Sequence, residues 1–350
     1  MGSLSFFKIP GEFHRAPDPH PWKDLDHEVP VVDISSLEDT DSREGALQAL
    51  RDACESWGFF QLLGHGIPRE LSDKMMEVAY KFFDLPAQDK LVYCSDNVLD
   101  DVGFATNFEV SKSRRPSATW QEFFFQMCSP PCDPSKLPEN PARYLNVSTS
   151  YGAEVTALAR RLLELFSESL GLEASELAGR FEGELMSMRL NHYPPCPEPQ
   201  LTIGIQPHSD INAFTILQQD VEGLQVLHDG AWVTLKPLPG ALVVNVGDQL
   251  QILSNDKFKS VEHRGVVNGE RARVSIACFY SPGLGARIGP IPGLVNEECP
   301  AKYKESLYGE YAKASLSMEL NRKSALSTLK VDDQKPELPS TLFNLWNKHW

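Results

Sequence analysis

The sequence predicts a mainly β protein with flanking helices, in which a jelly-roll double sheet fills the second half and an α/β region precedes it. One support is a change of hydrophobic period: apolar residues recur at helical spacing in segments before residue 172 and alternate singly from Glu184 onward. Another is a run of short β-branched segments at close spacing between Phe214 and Tyr280. Asp229-Gly230 and Asn268-Gly269, of the dipeptide class favoured in tight hairpins with positive φ, fall between such segments. So many short antiparallel strands must close or stack to hide their edges, and a jelly roll does so.

Each element has its own signal. Gly11 to Pro30 is rich in Pro, His and Asp without periodicity and reads as an extended arm, the folded body starting near Val29. Pro30 to Ile34 is a short β-branched strand, and Arg43 to Trp57 carries Leu47, Leu50 and Cys54 at helical spacing. Gly58 to Leu63 is a strand; Leu71, Met75, Val78 and Phe82 mark an amphipathic helix stopped by Pro86. Cys94 to Thr119 and the proline-crowded Cys128 to Pro141 read as loops around the aromatic run Trp120 to Phe125. Tyr151 to Leu172 is the strongest helix, with Val155, Leu158, Leu162, Leu165 and Phe166 inward and Arg160, Arg161 and Glu164 outward. From Glu184, Met186, Met188 and Leu190 alternate with Ser187, Arg189, Asn191 and Tyr193, which points to a polar-lined cavity. Strands follow at 214–217, 224–228, 231–235, 241–246, 261–267 and 273–280, and helical signals run from Ala301 through Arg322.

Composition limits the function. Of 350 residues, 41% are hydrophobic and 23% charged, with 33 Lys plus Arg against 48 Asp plus Glu. A net charge of -15 disfavours nucleic acid and anionic membrane as partners. No apolar run reaches the roughly 18 residues that span a bilayer, and Met1 to Phe13 has no signal-peptide pattern, so a cytoplasmic location is expected. Gly2 does not make a myristoylation motif, since Phe6 stands where Ser or Thr is wanted. The seven cysteines are odd in number and form no C-x-x-C pair, which fits reduced thiols.

His208-Ser209-Asp210 is the first chemical cluster, because residues i and i+2 of an extended segment share a side and can grip one ion. Alone, it fits a polar loop as well. His263, in Ser260 to Arg264, offers a third ligand, and two histidines with one carboxylate make the facial triad that binds Fe(II) with positions left open. Catalytic zinc uses the same set. Arg273 and Ser275 put a guanidinium and a hydroxyl on one strand face, where both can hold one carboxylate, and Tyr193 adds a phenol. A dicarboxylate can then chelate the metal at one end and be clamped at the other.

The chain resembles the plant-type Fe(II)- and 2-oxoglutarate-dependent dioxygenases of the isopenicillin N synthase-like group. The resemblance rests on Pro30-Val-Val-Asp-Ile-Ser35, Trp57 to Pro68, Asn191-His-Tyr-Pro-Pro-Cys-Pro197, His208-Ser-Asp210, Gly223-Leu-Gln-Val226, Asn245-Val-Gly-Asp-Gln249, Ser260 to Arg264 and Arg273-Val-Ser275, in that order. It implies a double-stranded β-helix core at 183–285, after an arm at 1–28, an α/β accessory region at 29–140 and a helical connection at 141–182, with a helical segment and tail at 286–350. It implies Fe(II) held by His208, Asp210 and His263, and 2-oxoglutarate held by Arg273, Ser275 and Tyr193 with Asn191 beside it. Turnover then consumes O2 and releases succinate and CO2, supported by ascorbate; no catalytic side chain beyond the metal centre is required. His65 and His192 read as structural and His228 as an exposed hairpin residue.

By the same resemblance Phe104, in a covering loop, and Phe125, Arg189 and Phe279 face a small-molecule substrate, and the protein acts as a monomer. An aromatic wall suits a flat ring, so a flavonoid or related phenolic leads, ahead of a hormone-like acid or an alkaloid. Hydroxylation, desaturation and O-demethylation share their first step, and the core motifs do not choose among them. An iron oxidase that does not use 2-oxoglutarate and a noncatalytic binding module are the rival readings.

Overall fold

The alternating segments build two sheets that face each other, while the helices collect on the far side of the larger one. The computed structural model describes residues 8–15, 18, 29–37, 39–95, 100–108, 119–317 and 323–331. In the first half lie β1 (Val31–Asp33), α1 (Thr40–Ser56), β2 (Phe59–Leu63), α2 (Arg69–Phe83), α3 (Ala87–Leu91), β3 (Val102–Thr106), β4 (Glu122–Ser129), α4 (Tyr144–Ser169) and α5 (Ala174–Ala178). The second half supplies β5 (Leu185–Tyr193), β6 (Ile205–His208), β7 (Phe214–Gln219), β8 (Leu224–His228), β9 (Ala231–Leu235), β10 (Leu242–Val246), α6 (Asp248–Leu253), β11 (His263–Gly265) and β12 (Arg273–Ser281). The short pair β13 (Arg287–Ile288) and β14 (Ser306–Leu307) and helices α7 (Tyr308–Ser317) and α8 (Lys323–Leu329) follow. The large sheet runs β1-β2-β10-β7-β12-β5-β4-β3 and the small one β6-β11-β8-β9, so the jelly-roll expectation holds.

Register decides which face each residue takes, because directly opposed residues share a side. Phe60, Phe124, Met186, Met188, Leu190, Ile216, Val244, Ile276 and Tyr280 pack with α1, α2 and α4 in the main core. On the opposite, inner face, Phe59, Val243 and Leu217 meet Leu224, Val226 and Leu235 of the small sheet in a second apolar cluster. Beyond this cluster the inner face carries Asn191, Arg189, Thr215, Asn245, Arg273 and Ser275 beside the rings of Phe125 and Phe279, and the candidate site lies among them.

Several sequence expectations need correction. Asp229 (φ 48°) and Gly230 (φ 74°) turn β8 into β9 as expected. Asn268-Gly269 does not close a hairpin: β11 belongs to the small sheet and β12 to the large one, and Asn268 Oδ1 instead accepts the N–H of Glu270 and Arg271, both at 3.0 Å. Helix α4 begins at Tyr144 rather than Tyr151, since Asn146, Ser148 and Ser150 dilute a periodicity that Tyr144, Val147 and Tyr151 keep on the buried side. Strand β3 occupies part of the expected loop 94–119, and β11 is shorter than 261–267.

The arm does not stand apart from the body. Ile9 and Phe13 are buried against Trp120 and Cys196, and Asp18 pairs with Arg264 on the outer face of the small sheet, where Arg264 also lies 4.1 Å over Trp232. The rest of the expected arm, 1–7, 16–17 and 19–28 with Gly2 and Phe6, and the tail 332–350 lie outside the described residues. No helix among the described residues is long and apolar enough to cross a membrane.

Candidate metal centre and active-site face

His208 and His263 are direct cross-strand partners of β6 and β11, so both imidazoles leave the small sheet on one side, with ring centroids 4.3 Å apart. Each ring is oriented by a backbone carbonyl two residues earlier: Nδ1 of His208 lies 2.8 Å from Gln206 O and Nδ1 of His263 3.2 Å from Val261 O. With Nδ1–H donating, each Nε2 presents its lone pair inward. Asp210 follows β6, and its Oδ1 lies 3.7 Å from His208 Nε2 and 3.6 Å from His263 Nε2. The donor atoms of all three residues lie within 4.8 Å of one another.

Asp210 is held by two neighbouring strand residues, Thr215 and Asn245. Oδ2 accepts from Thr215 Oγ1 at 2.6 Å and from Asn245 Nδ2 at 2.8 Å, and Thr215 and Asn245 are paired across β7 and β10. That leaves Oδ1 for a cation. Burial by itself pushes the Asp210 carboxyl up, but the His263 and His208 imidazoles and these two hydrogen bonds outweigh it and keep it below the ordinary carboxylate value. Asn245 carried a signal, as the polar residue in the strand Leu242-Val-Val-Asn-Val246; Thr215 carried none. Two imidazole nitrogens and one carboxylate oxygen fit Fe(II) with open positions. Behind them, burial pushes the Asp248 carboxyl up to about 6.

The residues expected to clamp a carboxylate are brought together by register. Across β12 and β5, Arg273 opposes Tyr193 and Ser275 opposes Asn191, so all four side chains share the inner face with Thr215 and Asn245. Arg273 is 3% exposed. Its Nε donates to Val221 O at 3.0 Å, its Nη2 to Gln219 Oε1 at 2.9 Å, and its guanidinium lies 5.0 Å from the Tyr193 ring. Among the described residues no carboxylate pairs with this buried cation. Asn191 Oδ1 and Gln219 Nε2 are buried without a hydrogen-bond partner among them. A buried cation without an anion, beside the orphaned Gln219 Nε2 donor, fits an anionic ligand. Glycine makes the room: a Cβ on Gly223 (φ +154°) would stand 2.8 Å from Arg273 Cδ, and one on Gly204 2.6 Å from Tyr193 Cδ1.

Phe125 opposes Arg189, and Phe279 opposes Ser187 and Thr215, which places Phe125, Arg189 and Phe279 on this inner face. The Arg189 guanidinium lies 3.6 Å from the centre of the Phe123 ring. Phe104 is a correction: it sits on β3 opposite Phe124, buried in the main core beside Phe82, because β3 pairs with β4 and turns it toward the helices. His228 is also corrected, being half-buried and stacked at 3.7 Å on Trp57. His65 bridges Ile67 N–H and Gly240 O, and His192 meets Glu122 at 2.9 Å, structural contacts in both cases.

Fold and donor set together define a non-haem iron oxygenase of the jelly-roll class. Residues 185–282 match the 2OG-Fe(II) oxygenase superfamily, and residues 29–149 match the family described as non-haem dioxygenase in morphine synthesis N-terminal. The chain is 40% identical over 329 residues to flavanone 3-dioxygenase 2 of Oryza sativa subsp. japonica, spanning 92% of this chain and 94% of that one. To oxoglutarate-dependent flavonoid 7-O-demethylase 1 of Ocimum basilicum it is 37% identical, over 87% and 82% of the two chains. The crystal structure of JOX2 in complex with 2OG, Fe and JA superposes with a TM-score of 0.82 at 32% identity, over 94% of this chain and 96% of that one. The protein therefore belongs to the 2-oxoglutarate- and Fe(II)-dependent oxygenase family, and Fe(II) and 2-oxoglutarate are its cofactors.

Proposed function

We propose that this protein oxidises a flavonoid or related plant phenolic, with His208, Asp210 and His263 holding Fe(II) and with Arg273, Ser275, Tyr193 and Asn191 holding 2-oxoglutarate. Fe(II), once held there, would supply with O2 and 2-oxoglutarate the oxidant for a substrate C–H bond; the 2-oxoglutarate would leave as succinate and CO2 and the iron would stay on the protein. The protein's own residues bind and orient. Thr215 and Asn245 fix the rotation of the Asp210 carboxylate. Arg273, supported by Gln219 and Val221, takes the distal carboxylate in a bidentate fork that Ser275 and Tyr193 complete. Phe125 and Phe279 wall the substrate's ring, and Arg189 meets its ionised or phenolic oxygen. The formal charge of -15 supports a chain acting as a free monomer away from nucleic acid and anionic membrane.

The observation that carries this reading is the register of β12 against β5, which sets Arg273 beside Tyr193 and Ser275 beside Asn191 and continues on the same face into Arg189. Anaerobic titration of 2-oxoglutarate into the Fe(II)-loaded protein tests it. A saturable visible charge-transfer band, lost in His208→Ala, is expected, followed by succinate release with flavonoids. No band on an iron-loaded chain favours the oxidase reading. A hormone-like acid is the second substrate reading. It is supported by the half-buried Arg189 guanidinium and by similarity to the JOX2 complex and to a rice dioxygenase for auxin oxidation (28% identical, TM-score 0.73).

A further inference from the structure

Helix α6 is six residues long, yet it joins both chain segments that carry the metal donors. Toward Asp210 it makes four bonds: Asp248 N–H to Asp210 O at 2.8 Å, Gln249 N–H to Asn212 O at 3.1 Å, Gly247 N–H to Ala213 O at 2.7 Å and Gln249 Nε2 to Ile211 O at 2.8 Å. Toward His263 it holds Ser260, whose N–H donates to Gln251 Oε1 at 2.6 Å and whose Oγ donates to Asp248 Oδ1 at 2.7 Å. The second Asp248 oxygen, Oδ2, accepts from Tyr311 OH of α7 at 2.7 Å.

Asp248 is fully buried, although its neighbours Leu250, Ile252 and Leu253 already supply apolar packing. A carboxylate in that place is costly, and apolar packing alone would hold the helix. What it adds is direction. Two hydroxyl donors from separate segments and one backbone donation fix the distance between the Asp210 and Ser260 strands, which contact between methyl groups does not.

We propose that Asp248 is a positioning residue for the metal centre, which sets the spacing of the Asp210 and His263 segments through Ser260, Tyr311 and the Asp210 main chain. It rests on His208, Asp210 and His263 being the ligands. Helix α7 thereby becomes part of the metal site's support, the Tyr311 hydroxyl being joined to the Asp210 and Ser260 segments through Asp248.

The test uses the full-length apo chain titrated with Co(II), read by its visible bands and dissociation constant, beside thermal unfolding of each apo variant. Loss of such supporting partners weakens metal binding about 10- to 100-fold, so Asp248→Ala is expected to bind Co(II) at least about tenfold more weakly with altered bands. Leu163→Ala in α4 is the control for lost stability, with unchanged bands and affinity expected. Should Asp248→Ala not fold, the Ser260→Ala/Tyr311→Phe double variant replaces it under the same criterion. Weakening below tenfold, or a loss matched by Leu163→Ala at equal destabilisation, overturns the proposal. A His208→Ala chain that keeps the bands and affinity removes the ligand assignment itself, a failure separate from that of Asp248.

Discussion

Arg273→Lys separates a geometric clamp from a mere positive charge. In the native site the guanidinium commits Nε to Val221 O and one N–H of Nη2 to Gln219 Oε1, which leaves Nη1 and the second N–H of Nη2 as the fork for an incoming carboxylate. An ammonium keeps the charge but has no fork, and it cannot satisfy Val221, Gln219 and the ligand in the same plane. The variant therefore loses at least one hydrogen bond to a charged group, worth about 1.5–3 kcal/mol, inside a site where the arginine is 3% exposed. At about 1.4 kcal/mol per decade that weakens 2-oxoglutarate binding roughly 10- to 100-fold. Ser275→Ala removes a neutral donor worth about 1 kcal/mol, so about fivefold is expected there. Both are measured by the anaerobic charge-transfer titration, with Fe(II) affinity unchanged. If Arg273→Lys binds 2-oxoglutarate within twofold of the unaltered protein, the fork assigned to Arg273 is wrong.

Three more outcomes follow from the contacts. Gly204→Ala places its methyl 2.6 Å from Tyr193 Cδ1 and 3.1 Å from Gly265 O, so it should cost about 1–3 kcal/mol in denaturant unfolding and weaken 2-oxoglutarate; unchanged values for both would contradict the packing. Thr215→Val frees Asp210 Oδ2 from one of its two donors and should weaken Fe(II) about tenfold in a chelator competition, whereas equal affinity would show that Asn245 suffices. Lys90→Met breaks a buried pair in which Lys90 Nζ donates to Glu122 Oε1 at 2.8 Å and should cost about 3–5 kcal/mol near neutral pH. Burial alone pushes the Glu122 carboxyl up, but His192 and Lys90 outweigh it and hold it below the ordinary range. A depressed folded value contributes stability above the unfolded carboxyl pKa of about 4.3 and loses it as pH falls through the folded value. The gap between Lys90→Met and the unaltered chain should accordingly narrow below about pH 4; equal gaps at about pH 7 and about pH 3 would refute it.

Local chemistry was legible in the sequence. Period-two alternation marks a strand whatever it pairs with, so the run from Glu184 to Tyr280 announced a double sheet, and Asp229-Gly230 announced a tight turn because its positive φ values are a local requirement. The candidate donors were legible as well, since His208, Asp210, His263 and Arg273 belong to motifs whose residue types follow from metal and carboxylate chemistry. Pairing partners were not. Asn268-Gly269 looks like Asp229-Gly230 in isolation, yet the chain there crosses from one sheet to the other, which only the closure of the double sheet decides. The same holds for Phe104, turned toward the helices by its register with Phe124, and for Ile9 and Phe13, buried by a contact with Trp120 more than a hundred residues away. Thr215 became a support for Asp210 through tertiary placement alone, and the same folding buried Asp248 between Ser260 and Tyr311. A residue's type and spacing state what it can bind; which face it takes, and what stands behind it, depends on strands distant in sequence whose hydrogen-bond register is set only when the sheets assemble.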